Sequence, residues 1–538
     1  MQTTDGGPAN ATSDSGLDGY DAIVVGGGVN GTGIARDLAG RGARVLLCEK
    51  DDLASHTSSS STKLIHGGLR YLEYREFSLV RKALREREVL LKSAPHIMRP
   101  LRFVMPRDPR SHALRPVWMI RIGLFLYDHL AHREVLPPSR TVNLRHYVAG
   151  APLKPQFTKG FVYSDGWVDD ARLVALCALD AAERGATVLT RTACVDAVRG
   201  ADRWRVTLKA EDGSTREVSA RALVNAAGPW AAEFLMEHAH AADRVHLRLV
   251  KGSHIVVKKL FEHDHAYIFQ NADGRIIFAI PYEHGFTLIG TTDIEHHGAI
   301  GEARAEPDEI AYLCEQASHY FAAPVTPEQV VWTYSGVRPL IDDESGNPAA
   351  VTRDYRLELD SGRDGSPQAP LLSVWGGKIT TFRKLAEEAV DRLAPLLARA
   401  SSGDAAAPIQ LGEPWTAAAT LPGGDLHAFL GTAAPPANDI VAIFDRFAAA
   451  LAVRHPSLPA SLVHRLARSY GTRAEVLLKD GLGGEVAPQV FEGELAYLRR
   501  VEWARRGEDV LWRRSKLGLH LRPDERDAVT AWLARASA

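Results

Sequence analysis

Three glycines, Gly26, Gly28 and Gly31, form a G-x-G-x-x-G sequence, and an acid, Glu49, follows about twenty residues on. This spacing suits a dinucleotide. Gly26 permits a tight turn, Gly28 lets the backbone approach a pyrophosphate, Gly31 lets a helix pack closely on a strand, and the carboxylate reaches a ribose. The helix that begins at this turn offers free N–H groups and a positive dipole end to the phosphates. After Glu49 the chain runs through Asp52-Leu-Ala-Ser-His-Thr57-Ser58-Ser-Ser-Ser-Thr-Lys63-Leu-Ile-His66-Gly67-Gly68-Leu-Arg70-Tyr71. A hydroxyl run closed by a Gly-Gly pair suits a loop wrapped along FAD. A nicotinamide domain would proceed to its next strand and helix. Two later strands also run into small-residue turns, at Asn225-Ala-Ala227-Gly228-Pro229 and at Trp375-Gly376-Gly377-Lys378. Either could return to the same cofactor.

These residues need an α/β frame. Ala22 to Val25 and Arg44 to Cys48 read as short buried parallel strands on either side of a helix from about Val29 to Ala39. A longer helix is expected from Phe77 to Lys92, and another from Ala171 to Arg184, capped by Asp169 and stopped by Gly185. Asp212-Gly213 reads as a hairpin turn. From Val245 to Thr292 the pattern is antiparallel, as for a second domain inserted into the first. The division expected is a disordered tail at 1–19 and an FAD domain from 20–95, 147–235 and 355–398. A substrate domain would come from 96–146 and 236–354, a linker from 399–425, and a helical domain from 426–538. The basic runs within that last domain read as a solvated face.

With 538 residues, 45% hydrophobic and 24% charged, the chain is long enough for two to four ordinary cores. A net charge of −2 gives no global basic field for nucleic acid. Cys48, Cys177, Cys194 and Cys314 follow no metal or redox spacing and read as buried thiols. There is no apolar run of 18 residues, which leaves a cytoplasmic or peripheral placement. Residues 96–146 interleave arginines with Val117-Trp-Met-Ile-Arg-Ile-Gly-Leu-Phe-Leu-Tyr127. Such a segment suits either an anionic membrane interface or a buried helix with internally paired arginines.

Several longer motifs carry a family resemblance: Lys63 to Tyr71, Lys251-Gly-Ser-His254, Ile289-Gly-Thr-Thr-Asp293, Tyr334-Ser-Gly-Val-Arg338-Pro-Leu340, Thr352-Arg353-Asp-Tyr355 and Gly376-Gly-Lys378. Together with Trp503 to Gly518, they resemble the FAD-dependent glycerol-3-phosphate dehydrogenases, closest to the aerobic, respiratory kind. The resemblance implies a Rossmann-like FAD domain of the amino-acid oxidase type, an antiparallel cap and a C-terminal helical domain. It implies oxidation of sn-glycerol 3-phosphate to dihydroxyacetone phosphate, with electrons passing to a quinone at the inner face of the cell membrane.

The resemblance places Arg70, Arg338 and Arg353 around the substrate phosphate, where a planar guanidinium fork suits two oxygens at once. His254 is the candidate base, since an ordinary imidazole titrates near neutrality. Lys378 is its rival, or the group that stabilises an alkoxide. Tyr71 and Thr380 lie near the substrate on this reading. The cofactor would be held by Gly26, Gly28, Asn30, Gly31, Glu49, Thr57, Ser58, Lys63, His66, Gly67, Gly68, Ala227, Gly228, Gly377, Lys378, Ile379 and Thr380. No residue cluster has metal spacing. Other readings are an oxidase of the same fold that uses O2, a flavin-binding protein without turnover, and a cytosolic NAD-dependent dehydrogenase; the partners expected are glycerol 3-phosphate, a respiratory quinone and a second copy of the chain in a homodimer.

Overall fold

The computed structural model describes residues 18–108, 116–241, 245, 247–271, 273–341, 354–363, 366–398 and 408–537. Most of the expected tail lies outside these residues, as do Arg353 and the first part of the expected linker. Asp18 and Gly19, assigned to the tail, instead begin the first strand, Asp18–Val25, because they pair with Val218 and Ser219.

The first sheet has the strand order Arg356–Arg363, Ser366–Trp375, Thr215–Asn225, Asp18–Val25, Val45–Cys48, Thr187–Leu189. Its central pairings are parallel and nearly in step. Val25 lies beside both Cys48 and Asn225, and Asn225 lies beside Ser373. The turns at Gly26, Glu49, Ala226 and Gly376 therefore emerge along one edge of the sheet. That edge is where ligands bind in open parallel sheets. The strands are apolar on both faces because helices cover one face and a β-meander with a short helix covers the other.

The second sheet is mostly antiparallel. It contains Leu247–Lys258, paired with Val330–Ile341 and with Phe286–Gly290, and continues through Ile276–Tyr282 and Ala266–Gln270 to Met98–Pro106 and Lys159–Val168. One pairing, Ala266–Gln270 with Met98–Pro106, is parallel. Chain order placed 147–235 with the cofactor domain, yet Lys159–Val168 is hydrogen-bonded into this second sheet. Leu64–Ile65, from the hydroxyl loop, forms its edge. The loop thereby physically joins the two domains.

Residues 426–538 are not wholly helical. A two-stranded hairpin, Glu485–Ala487 with Val490–Phe491, sits among the helices. Of the two basic runs there, the first is a solvated face, with Arg499, Arg500, Arg505 and Arg506 exposed, and the second, Asp509 to Lys516, is not. Arg514 is 1% exposed and Lys516 4%, because both are paired with acids of the other domains. Residues 408–425 do not behave as a loose linker. Trp415 donates to the Asp37 carbonyl and lies under the guanidinium groups of Arg36 and Arg184. The four cysteines are buried and unpaired.

Helix Val117–His129 settles half-exposed. Leu124 and Tyr127 are buried, while Trp118, Ile122 and Phe125 are 62%, 51% and 56% exposed. The reading of this run as a fully buried helix is therefore wrong. Among the described residues, no helix is long and apolar enough to cross a membrane.

Candidate active site

A cavity of about 400 Å³ runs along the shared edge of the first sheet. At one end, Glu49 accepts hydrogen bonds from Gly27 N at 2.6 Å and Asp51 N at 2.8 Å. Burial pushes this carboxyl up, and the two N–H groups offset part of that rise. Trp230 walls this end, with the Lys50 ammonium 3.8 Å from its ring centroid and His56 packed edge-on.

The glycine turn is built as its sequence requires. A Cβ on Gly31 would sit 1.9 Å from the Gly26 carbonyl oxygen. Gly26 itself has φ +112°, and a Cβ there would meet Ala226 O at 2.5 Å. Gly31 does not line the cavity; it lets the helix start close to the turn. Ser58 Oγ accepts from Val29 N at 3.0 Å, and Thr57 Oγ1 donates to Val337 O at 2.6 Å, one residue before Arg338. Asn30 Nδ2 donates to Gly376 O at 3.2 Å and so joins the first glycine turn to the last. Its Oδ1 is buried without a partner.

At the other end stand His254, Arg338, Lys378, Thr380 and Tyr71, all lining the cavity. Arg338 Nη2 donates to Asp293 Oδ1 at 2.8 Å and to Thr292 O at 3.3 Å. The Lys378 ammonium lies 3.6 Å from the Tyr71 ring centroid. Thr380 Oγ1 accepts from His66 N at 3.2 Å. A second cleft, of about 1090 Å³, continues from Arg338 and Tyr71 past Arg70 to helix Val117–His129. Arg70 lines this cleft and not the cofactor cavity.

His254 Nε2 lies 2.9 Å from Thr62 Oγ1, and its ring stacks on Tyr334 at 4.7 Å between centroids. Nδ1 is buried without a partner. Burial, then the charges of Lys63 and Arg338, hold its pKa well below the usual imidazole value. The argument from an ordinary pKa near neutrality is thereby overturned. Across the neutral range His254 is a neutral imidazole, an acceptor held in a cationic surround.

Three further residues expected to touch the cofactor, Lys63, Gly67 and Gly68, do not line the cavity. Lys63 is fully buried, donating to Asp170 Oδ1 at 2.7 Å and Ser59 O at 3.0 Å. It fastens the hydroxyl loop from behind. Gly67 N donates to Tyr127 Oη at 2.8 Å, and Gly68 lines the second cleft. Residues that sequence reasoning did not single out complete the setting. Tyr334 orients His254 and donates to Ser61 O at 2.8 Å. Asp293 holds Arg338. Both lie inside motifs already noted, which was the available signal.

A parallel sheet with a glycine turn, a buried carboxylate after the next strand and two further small-residue turns on one edge defines a dinucleotide-binding fold. The partnerless Asn30 Oδ1 and the side-chain-free approach at Gly26 and Gly28 fit such a cofactor. The sequence pattern of the FAD dependent oxidoreductase family matches residues 21–373. The chain is 50% identical over 520 residues to a glycerol-3-phosphate dehydrogenase of Pseudomonas aeruginosa, covering 96% of this chain and 95% of that one. It is 48% identical to a D-erythritol 1-phosphate dehydrogenase of Brucella abortus, covering 96% and 98%. The crystal structure of a Bacillus halodurans glycerol-3-phosphate dehydrogenase complexed with FAD superposes with a TM-score of 0.73 at 27% identity, covering 97% of this chain and 91% of that one. The chain belongs to the glycerol-3-phosphate dehydrogenase family of FAD-dependent oxidoreductases; it is an FAD enzyme.

Proposed function

We propose that this enzyme oxidises sn-glycerol 3-phosphate to dihydroxyacetone phosphate and delivers the electrons to a membrane quinone. The observation that carries the first half is the convergence of Arg338, Lys378 and His254 on one end of the FAD cavity. FAD supplies the two-electron acceptor for the C2 hydride. The chain supplies the rest. Arg338, aided by Arg70 and Arg353, holds the phosphate dianion and so fixes where C2 lies. Neutral His254 accepts the proton of the C2 hydroxyl, and the Lys378 ammonium stabilises the oxygen as charge develops on it. Tyr71 and Thr380 pack the three-carbon chain.

Without oxygen, adding glycerol 3-phosphate to the purified yellow protein is expected to bleach the flavin absorption completely. A spectrum that stays unchanged overturns the reading. D-erythritol 1-phosphate is the second reading. It is favoured by the Brucella relative and by a cleft that continues well beyond Arg338. The substrate that bleaches at the lower concentration decides between them.

The quinone half rests on helix Val117–His129. Its exposed face carries Trp118, Met119, Ile122 and Phe125, of which Met119 and Ile122 line the second cleft, and the exposed Arg81 and Arg85 line a hollow with His129 at the end of the helix. An apolar face flanked by cations suits the interface of an anionic bilayer. The cleft then gives a quinone a path from that interface toward the flavin. The double variant Trp118→Glu/Phe125→Glu removes about 3 kcal/mol of apolar burial. It is expected to weaken binding to phosphatidylglycerol vesicles roughly a hundredfold. Turnover with a water-soluble dye should persist. Undiminished vesicle binding overturns the docking face.

A further inference from the structure

One turn of the C-terminal domain, Asp509–Arg514 with the residues just after it, reaches three separate parts of the cofactor cradle. Asp52, three residues beyond Glu49, is 1% exposed. It accepts from Arg514 Nη1 and Nη2 at 2.6 and 2.7 Å and from Arg513 Nε at 2.7 Å. Asp509 Oδ2 accepts from Arg191 Nη2 at 2.7 Å. The backbone of Arg191 in turn donates to Asp51 O, and that of Thr192 to Glu49 O at 2.7 Å. Lys516 Nζ lies 3.3 Å from Asp169 Oδ1, beside Asp170, which holds Lys63 and Ser61 of the hydroxyl loop.

None of Asp52, Arg191, Asp509, Arg513 or Arg514 lines the cavity. Each grips a segment that does: Glu49 to Ser58 on one side, Thr192 to Val195 on the other. Burial alone would push the Asp52 carboxyl up, but Arg514 and Arg513 overcome it and hold it below the usual carboxylate range. The clamp is therefore ionised whenever the protein is folded near neutrality. Buried pairs of this kind fix geometry firmly, because separating them leaves a charge without compensation.

We propose that the 509–516 turn is the latch of the cofactor site: through Asp52 and Arg191 it positions the two loops at the Glu49 end, and so sets how tightly FAD is retained. These are positioning residues. They hold the loops and not the reacting atoms. The effect to measure is therefore release of the cofactor.

The test uses the full-length holoenzyme with Asp52→Asn and Arg513→Ala, following flavin fluorescence after dilution. Arg473→Ala is the control. It breaks a pair with Glu183 that ties the same C-terminal domain to the FAD domain away from the loops. FAD release is expected to be about tenfold faster in both latch variants, a common size for coupling between sites. Arg513→Lys should bring it back toward the parent rate, and turnover per bound flavin should hold. Arg473→Ala should release FAD at the parent rate. If Asp52→Asn does not fold by circular dichroism, Arg513→Ala decides, since it leaves both Arg514 bonds in place. Unchanged release in the folded latch variants overturns the proposal. So does an equal acceleration in Arg473→Ala, which would mean general loosening between domains.

Discussion

Replacing Arg338 with alanine is expected to lower kcat/KM for glycerol 3-phosphate by a hundredfold or more. The guanidinium faces the cavity and also neutralises Asp293 at 2.8 Å. The substitution therefore removes the phosphate's fork and, at the same stroke, takes a cation from a carboxylate beside the dianion. Loss of one partner of a hydrogen-bonded charge pair costs about 3 kcal/mol or more, which is roughly a hundredfold. Lysine at this position should recover only part of the loss, because it offers a point charge and no planar fork. A second readout separates this role from mere packing. Arg338 is one of the charges, after burial and Lys63, that hold His254 low. With it gone, protonation of His254 becomes easier and its pKa rises. The acid limb of kcat/KM should then move to higher pH. A parent-like kcat/KM refutes the phosphate role, and an unmoved acid limb refutes His254 as the base.

The second large effect is expected at Gly31→Ala. The added carbon would meet the Gly26 carbonyl oxygen at 1.9 Å, a contact with backbone that no side-chain rotation relieves. Either the helix start or the phosphate turn must move. Overpacking of this kind costs about 3 kcal/mol, and spending it at the turn weakens FAD roughly a hundredfold. The purified variant should be colourless at micromolar concentration and regain colour only with excess FAD. A fully yellow variant would show that the turn is not the pyrophosphate site.

The glycine turn and its acid were legible because the demand is local. Gly31 answers a steric limit set by Gly26 within the same turn, Gly26 takes the positive φ that the turn requires, and Glu49 follows the next strand. The motif around Arg338 was legible through its resemblance to the family, with Pro339 making it the most specific of the three arginines. The ionisation of His254 was not legible. A lone histidine on an apolar strand has an ordinary pKa until folding buries it, and only then do Lys63, almost two hundred residues earlier, and Arg338 add their charges. Nor could Lys63 be told from a cofactor ligand, since only its pairing with Asp170 turns it inward. The exposure of Trp118 and Phe125 was likewise undecided, because an apolar run reads alike whether it meets a core or a bilayer.

The amino-acid sequence by itself determined the parallel strands and the dinucleotide turn, which follow from short-range sterics and from the periodicity of apolar residues, and its longer motifs carried the resemblance to a flavin family. Only the tertiary structure decided which charges face the cavity and which lock the scaffold. It paired Arg338 with Asp293, buried His254 among cations and set Arg513 and Arg514 on Asp52. The reason is physical. A charge takes its meaning from the dielectric and the partners around it, and those are contributed by residues that the chain brings together only when it folds.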